Sequence, residues 1–447
     1  MNTPVLDFLN EYASADISRL HMPGAKGKMI LGPEGFDITE VNGADDLYYP
    51  DGIIRQSEEN AASLFGTGIT CYSTEGSSHC IRSALMLIKR LCGRENDHPL
   101  ILAARNVHKS FVYGIALAGM EAEWIDINEP DRISLSQGQP SPSEIEAALD
   151  RCSKKPAAVY LTSPNYSGEY ADIKEIKKIC KDRGVLLMVD NAHGAYLRFL
   201  EKSMHPMDLG ADICCDSAHK TLPVLTGGAY LHLKEGIADL GAVKSAMEAT
   251  GSTSPSYLIL ASLDKANGLL SSGLAREIRT FEKRMYELKR ELSALGITLI
   301  GDEPFKVTVN ALKLGIKGTE LAEILRKHGA EPESCDRACM TVMLTPFNDE
   351  KDLLRLKGAL VFAKNMRLPE LKGGIALPAY VKKMTVRGAV LAPQEVIDSG
   401  LSKGRICASP LVACPAVPIV MSGEEIEDGH IELFEKLGIK KVSVVIS

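Results

Sequence analysis

The sequence predicts an α/β protein, a mostly parallel sheet covered by helices, with a smaller α+β domain after it. Three observations predict this. From about Gly66, short apolar runs alternate with amphipathic helical stretches, and strands apolar on both faces belong in a sheet covered on both sides. Beyond residue 272 the alternation gives way to a long charged helix and scattered strands. At 447 residues the chain also exceeds one simple core, so two or three domains are expected.

Residues 1–45 read as an N-terminal helix and arm. Pro4 suits the first position of a short helix with Val5, Leu6, Phe8, Leu9 and Tyr12 on one face. The Gly/Pro-rich stretch 21–43 is too irregular for a helix and too apolar for a free linker, and reads as an ordered, packed arm. The major domain spans 46–272, with strands predicted over 100–103, 121–125, 157–161, 185–189, 213–215 and 229–231. Helices are predicted over 110–118, over 173–183 with Gly184 as the stop, and from a capping box at Ser141-Pro142-Ser143-Glu144 to Cys152. Residues 273–372 form the small α+β domain. Its long helix, 274–295, carries the stripe Ile278, Phe281, Met285, Leu288 and Leu292. The last segment, 373–447, is rich in Pro and small residues and ends in strand-like 442–445.

Composition narrows the function. Hydrophobic residues at 45% and charged residues at 24% give an ordinary soluble balance. A net charge of −7 without a basic run leaves no electrostatic footprint for nucleic acid or a membrane surface. Eleven scattered cysteines without C-x-x-C spacing read as reduced thiols, and with no signal-like N-terminus the expected compartment is the cytoplasm.

Four groups fall at or just past strand ends, where ligands bind in such sheets. Ser73-Thr74-Glu75-Gly76-Ser77 leads into a helix opening near Ser78, and hydroxyls with free N–H groups at a helix start suit a phosphate, though they equally suit a plain cap. His108, in Arg105-Asn106-Val107-His108-Lys109-Ser110, could stack on a flat ring or move protons. Asp190, in Val189-Asp190-Asn191-Ala192-His193-Gly194, ends a buried strand, and a carboxylate there needs a partner such as a pyridinium N–H. A metal is disfavoured, because no second Asp/Glu/His cluster lies at ligand spacing. Lys220, in Asp216-Ser217-Ala218-His219-Lys220-Thr221, sits in a non-periodic loop after a buried strand, where desolvation makes an amine nucleophilic. Each group alone is weak; their order along one sheet edge points to pyridoxal 5′-phosphate (PLP).

These motifs resemble the Orn/Lys/Arg decarboxylase family, among the fold-type I PLP enzymes related to aspartate aminotransferase. His21-Met22-Pro23-Gly24 is similar to its H-x-P-G opening, and Arg105 to Ser110 to its R-N-x-H-K-S. Thr162 to Gly168 resembles T-S-P-T-Y-x-G, Asp190 to Gly194 resembles D-E-A-H-G, and Ser217 to Leu222 resembles S-x-H-K-x-L. The resemblance implies that Lys220 holds PLP as a Schiff base, that Asp190 pairs with the pyridine nitrogen and that His108 stacks on the ring. It also implies that Ser73, Thr74, Ser217 and His219 lie near the phosphate or ring, with Glu75 and Gly76 in the same cradle, and His193 beside the pyridine.

By the same resemblance the site forms in a homodimer or larger homo-oligomer, 46–272 is the PLP-binding domain and 373–447 is the family's C-terminal segment. The chain departs from the pattern at Ala25-Lys26, at Asn191, at Ser409 and at Ala413-Cys414-Pro415-Ala416. The expected reaction is α-decarboxylation of arginine, lysine or ornithine, with His219 or Lys220 returning a proton to Cα. The alternatives are another PLP reaction, for which Arg387 or Arg405 could bind a carboxylate, and a silent PLP-binding relative. Asp45 and Asp46 are possible partners for the far end of a basic substrate, or merely caps.

Overall fold

The computed structural model describes residues 1–93, 97–127, 129, 131–413 and 417–446. Seven strands belong to the predicted major domain: β1 (Ile69–Ser73), β2 (Leu100–Ala104), β3 (Glu121–Ile125), β4 (Ala158–Thr162), β5 (Leu186–Asp190), β6 (Ile213–Asp216) and β7 (Ala229–Leu233). Among the described residues up to 294 the α-helices are α1 (Pro4–Ser14), α2 (Ile53–Phe65), α3 (Gly76–Leu91), α4 (Lys109–Ala118), α5 (Pro142–Arg151), α6 (Ile173–Asp182), α7 (Ala218–Thr221), α8 (Leu240–Glu248), α9 (Tyr257–Leu269) and α10 (Ala275–Ala294). Contacts divide the chain into two compact units, Met1–Glu95 with Ile173–Arg279, and Asn96–Asp172 with Thr280–Ser447.

In the first unit the strand order is β1-β7-β6-β5. β5 and β6 run parallel, with Asp190 opposite Cys215, while β7 is antiparallel to both β6 and β1. The Leu187-Met188-Val189 and Ile213-Cys214-Cys215 runs are buried, as strands covered on both faces must be. Polar residues enter only at their carboxyl ends, Asp190 and Asp216. α3 packs on β6 and β7, α2 and α9 pack on β1, and α1 lies on α2 and α9. Phe65 anchors this core, its ring 4.6 Å from His232 and 5.2 Å from Tyr230.

Three local features differ from the sequence reading. α3 opens at Gly76, two residues earlier than predicted, because Ser73 Oγ takes the Glu75 N–H and Gly76 gives its own N–H to Gly227 O. Gly76 has φ +73°, a conformation that favours glycine. Lys220 is not in an open loop but on α7, one helical turn closed by Leu222 N–H to Ala218 O. Asp45 and Asp46 are caps rather than substrate ligands. Asp45 accepts from the N–H groups of Gly52, Ile54 and Arg55 at the start of α2, and Asp46 from those of Tyr48 and Tyr49. The arm after α1 also leaves apolar side chains bare in this chain, Leu20 at 92% and Leu31 at 89% exposed.

In the second unit the order β4-β2-β3 is parallel throughout. The capping box at Ser141 and Glu144 forms as predicted and opens α5. A four-stranded antiparallel sheet contains Lys306–Asn310 and Cys339–Met343. The C-terminal segment has its own core, in which Val417, Ile419, Phe434, Val442 and Val444 are buried. The five stripe residues predicted for α10 are all buried as well.

Candidate active site

The first unit brings Lys220, His193, Asp190, Ser217 and His219 to two neighbouring turns. β5 ends at Asp190 and β6 at Asp216, and because these strands are parallel both following turns emerge at the same edge. Lys220 Nζ lies 3.1 Å from His193 Nε2. His193 and Asp190 are each 2% exposed, whereas the lysine is half-buried and reachable. Asp190 Oδ1 accepts the Ala192 N–H at 3.1 Å, which fixes the carboxylate at the head of its turn. Gly194 is required for space, since a Cβ there would fall 2.0 Å from Asn191 Oδ1.

Hydroxyls gather at the start of α3. Ser217 Oγ donates to Ser77 Oγ at 2.7 Å, which ties the Lys220 turn to that helix N-terminus. A Cβ built on Gly76 would stand 4.0 Å from His219 Cε1, so the histidine ring borders the same place. Thr74 is half-buried there, and Thr221 Oγ1 is buried with no hydrogen-bond partner among the described residues. Ser73 serves the framework, because its hydroxyl meets His79 Nδ1 at 2.9 Å besides capping Glu75. The Glu75 carboxylate takes the Ser252 N–H at 2.6 Å. The donor set fits PLP: a reachable amine, a buried strand-end carboxylate for a ring nitrogen, and hydroxyls at a helix start for a phosphate.

His219 is held neutral, since burial lowers its pKa and the neighbouring Lys220 lowers it further against the opposing Gly228 carbonyl. Its Nδ1 donates to Gly228 O at 3.0 Å, leaving Nε2 as the acceptor nitrogen. His108 belongs to the second unit, as the cap of α4. Its Nδ1 accepts the Ser110 N–H at 3.2 Å, so the ring is fixed with its proton on Nε2.

Sequence reasoning passes over Ser77 as a separate contributor, and it gives Asp216 no role. Asp216, His205 and His232 form a fully buried cluster with ligand atoms close enough for a metal, although their sequence spacing shows no such cluster. The hydrogen bonds point elsewhere. Met207 N–H approaches His205 Nδ1 at 3.3 Å, which leaves the proton on Nε2, donated to Asp216 Oδ2 at 2.9 Å. A metal would need that nitrogen bare.

Arg105 and Glu424, in the second unit, form a buried two-pronged ion pair at 2.5 and 3.0 Å, with the guanidinium 4.2 Å from the Tyr380 ring centre. That pair fastens the C-terminal segment to the end of β2. Arg405, a possible carboxylate ligand for an aminotransferase, is bonded instead to Glu395 at 2.6 Å. Ser409 Oγ donates to Gln394 Oε1 at 3.2 Å, and residues 414–416 of the altered motif lie outside the described residues.

Solved structures share the fold. Lysine decarboxylase A from Pseudomonas aeruginosa superposes with a TM-score of 0.80 at 18% identity, covering 99% of this chain and 80% of that one. The Escherichia coli constitutive lysine decarboxylase gives 0.78 at 17% identity, over 100% and 82%. The fold is therefore that of the fold-type I PLP enzymes. Residues 3–300 match the Orn/Lys/Arg decarboxylase major domain. The arginine decarboxylase of Bacillus subtilis (strain 168) is 30% identical over 97% of this chain and 93% of its own, and that of Bacillus anthracis 28% identical over 97% and 92%. The chain belongs to the Orn/Lys/Arg decarboxylase family. It is a PLP-dependent decarboxylase of basic amino acids.

Proposed function

We propose that Lys220 carries the PLP and that arginine is the amino acid decarboxylated. The observation that supports the site is the Lys220–His193 pair beside the strand-end Asp190. The relatives named arginine decarboxylase, similar over nearly their whole length, support the substrate. When bound, PLP supplies an electron sink for the pair left on Cα as CO2 departs.

This chain's residues do the rest. Asp190, buried and anchored by Ala192 N–H, would hold the pyridine nitrogen of PLP in its protonated form. By the family resemblance, His108, locked by Ser110, is the ring expected to stack on the cofactor. Ser217, Ser77 and Thr74, with the start of α3, would hold the phosphate. His193 would steady the Lys220 amine, and Lys220, rather than His219, whose one proton is given to Gly228 O, would return a proton to Cα. The enzyme works in the cytoplasm as a homodimer or larger homo-oligomer, its amine product feeding polyamine biosynthesis. The bare apolar side chains of the arm, among them Met29 and Ile30 at 80% and 75% exposed, suit cover by a second copy.

The test is CO2 release by PLP-supplemented protein offered arginine, lysine, ornithine and non-basic amino acids. Release from arginine, abolished in Lys220→Ala, is expected. Release from lysine or ornithine alone would overturn the substrate assignment, and full activity in Lys220→Ala the site.

A further inference from the structure

Asp216 is the last residue of β6, four positions before Lys220, and is 0% exposed. Its Oδ1 accepts from Asn191 Nδ2 at 2.8 Å and faces Cys214 Sγ at 3.4 Å. Its Oδ2 accepts from His205 Nε2 at 2.9 Å, with His232 Nε2 at 3.3 Å. His232 is itself held by Thr70, whose Oγ1 is 2.8 Å from Nδ1. Burial by itself would push this carboxyl up, but the two histidines outweigh it and hold the group well below the usual range. A buried carboxylate kept charged by so many donors is costly to assemble unless it fixes something.

What it fixes is Asn191. The side chain of Asn191 donates to Asp216, and its backbone N–H donates to Cys215 O at 2.9 Å, so both donors are committed to the end of β6. Asn191 lies between Asp190 and His193, and His193 touches Lys220. We infer that Asp216 is a positioning residue for the cofactor site, gripping Asn191 so that the Asp190–His193 turn keeps its register against the Lys220 turn. The inference rests on Lys220 being the cofactor lysine.

It also accounts for the amide at 191, where the D-E-A-H-G pattern has an acid. A carboxylate at 191 would face Asp216 across 2.8 Å with no proton between them. The donor and acceptor are exchangeable as a pair. With Asn191→Asp and Asp216→Asn together, the new amide at 216 donates to 191 while its oxygen still accepts from His205. Asn191→Asp alone sets acceptor against acceptor, and Asp216→Asn alone leaves one acceptor oxygen where Asn191 and His205 each had their own.

The experiment titrates PLP into cofactor-stripped protein by visible absorbance, with borohydride reduction and mass analysis to locate the attachment and circular dichroism to confirm folding. Each single variant is expected to weaken PLP binding about tenfold, the worth of one charge-assisted hydrogen bond. The double variant should return to within about threefold of the parent. Folded single variants that bind PLP like the parent, or a double variant no better than the singles, would overturn the inference. Should a single variant not fold, Asn191→Ala, which leaves Asp216 with its histidines, serves instead. A loss of severalfold in PLP affinity is expected, and parental affinity would overturn the proposal. Parent protein that is not reductively labelled at Lys220 would remove the site assignment itself, a different result from either.

Discussion

Two carboxylates in the first unit are both 0% exposed, yet their surroundings drive them in opposite directions. Asp216, at the site, lies against two imidazoles and an amide and stays well below the usual carboxylate range. Asp264, on α9, meets neutral donors instead, the Ser57 hydroxyl at 2.5 Å, the Leu6 N–H at 3.0 Å and the Val5 N–H. Burial wins there and pushes it up to about 6, over those opposing bonds. Depth of burial alone does not set the charge of an interior carboxyl. The number and polarity of its donors do, and where a fold supplies rich donors next to a reactive lysine, a charge is being held for a purpose.

That contrast can be tested from either end. The largest effect is expected for Asp216→Ala, which strands His205 and Asn191 without their acceptor and removes the carboxylate beside His232. Loss of ~3–5 kcal/mol in denaturant-measured stability should follow. Because the folded value of Asp216 is depressed, its contribution is complete above roughly pH 4 and fades only in stronger acid.

Asp264 has the opposite sign. Its folded value is raised, so between about pH 4 and pH 6 the folded state holds a proton that the unfolded state has released. Stability therefore falls as pH rises through that window and then levels off. Asp264→Asn should flatten this slope and gain on the order of 2–3 kcal/mol at pH 8, seen in urea melts across pH. A smaller effect, ~1 kcal/mol, is expected for Ser57→Ala, which removes one donor from Asp264 and a partner from the Tyr72 hydroxyl. The same variant should move the midpoint of the pH dependence upward, since the Ser57 bond opposes the shift.

Much of the fold is legible along the chain because its signals are local. A run such as Leu186-Leu187-Met188-Val189, bounded by Gly184 and Asp190, reads as a covered strand, and Ser141 with Glu144 reads as a helix start. The order of Asp190, His193 and Lys220 along the chain likewise points to a PLP site, and the two strand-end turns bring them together. The arm of residues 21–43 reads as packed from its composition, yet several of its apolar side chains are bare in this chain.

Local sequence does not show which polar residues share a buried place. Asp45 suits a basic substrate by charge alone, whereas its carboxylate takes three N–H groups at the start of α2. Lys220 reads as a loop residue because a single helical turn is too short to show a period.

The strand and helix pattern, the residues proposed to surround the cofactor and the family all follow from the chain alone, since they depend on runs and ordered motifs. Folding in three dimensions was needed to place Asp216, His205, His232 and Asn191 in one buried polar cluster. They come from four separate segments, and whether a carboxylate is paired depends on contacts across space that no spacing along the chain records.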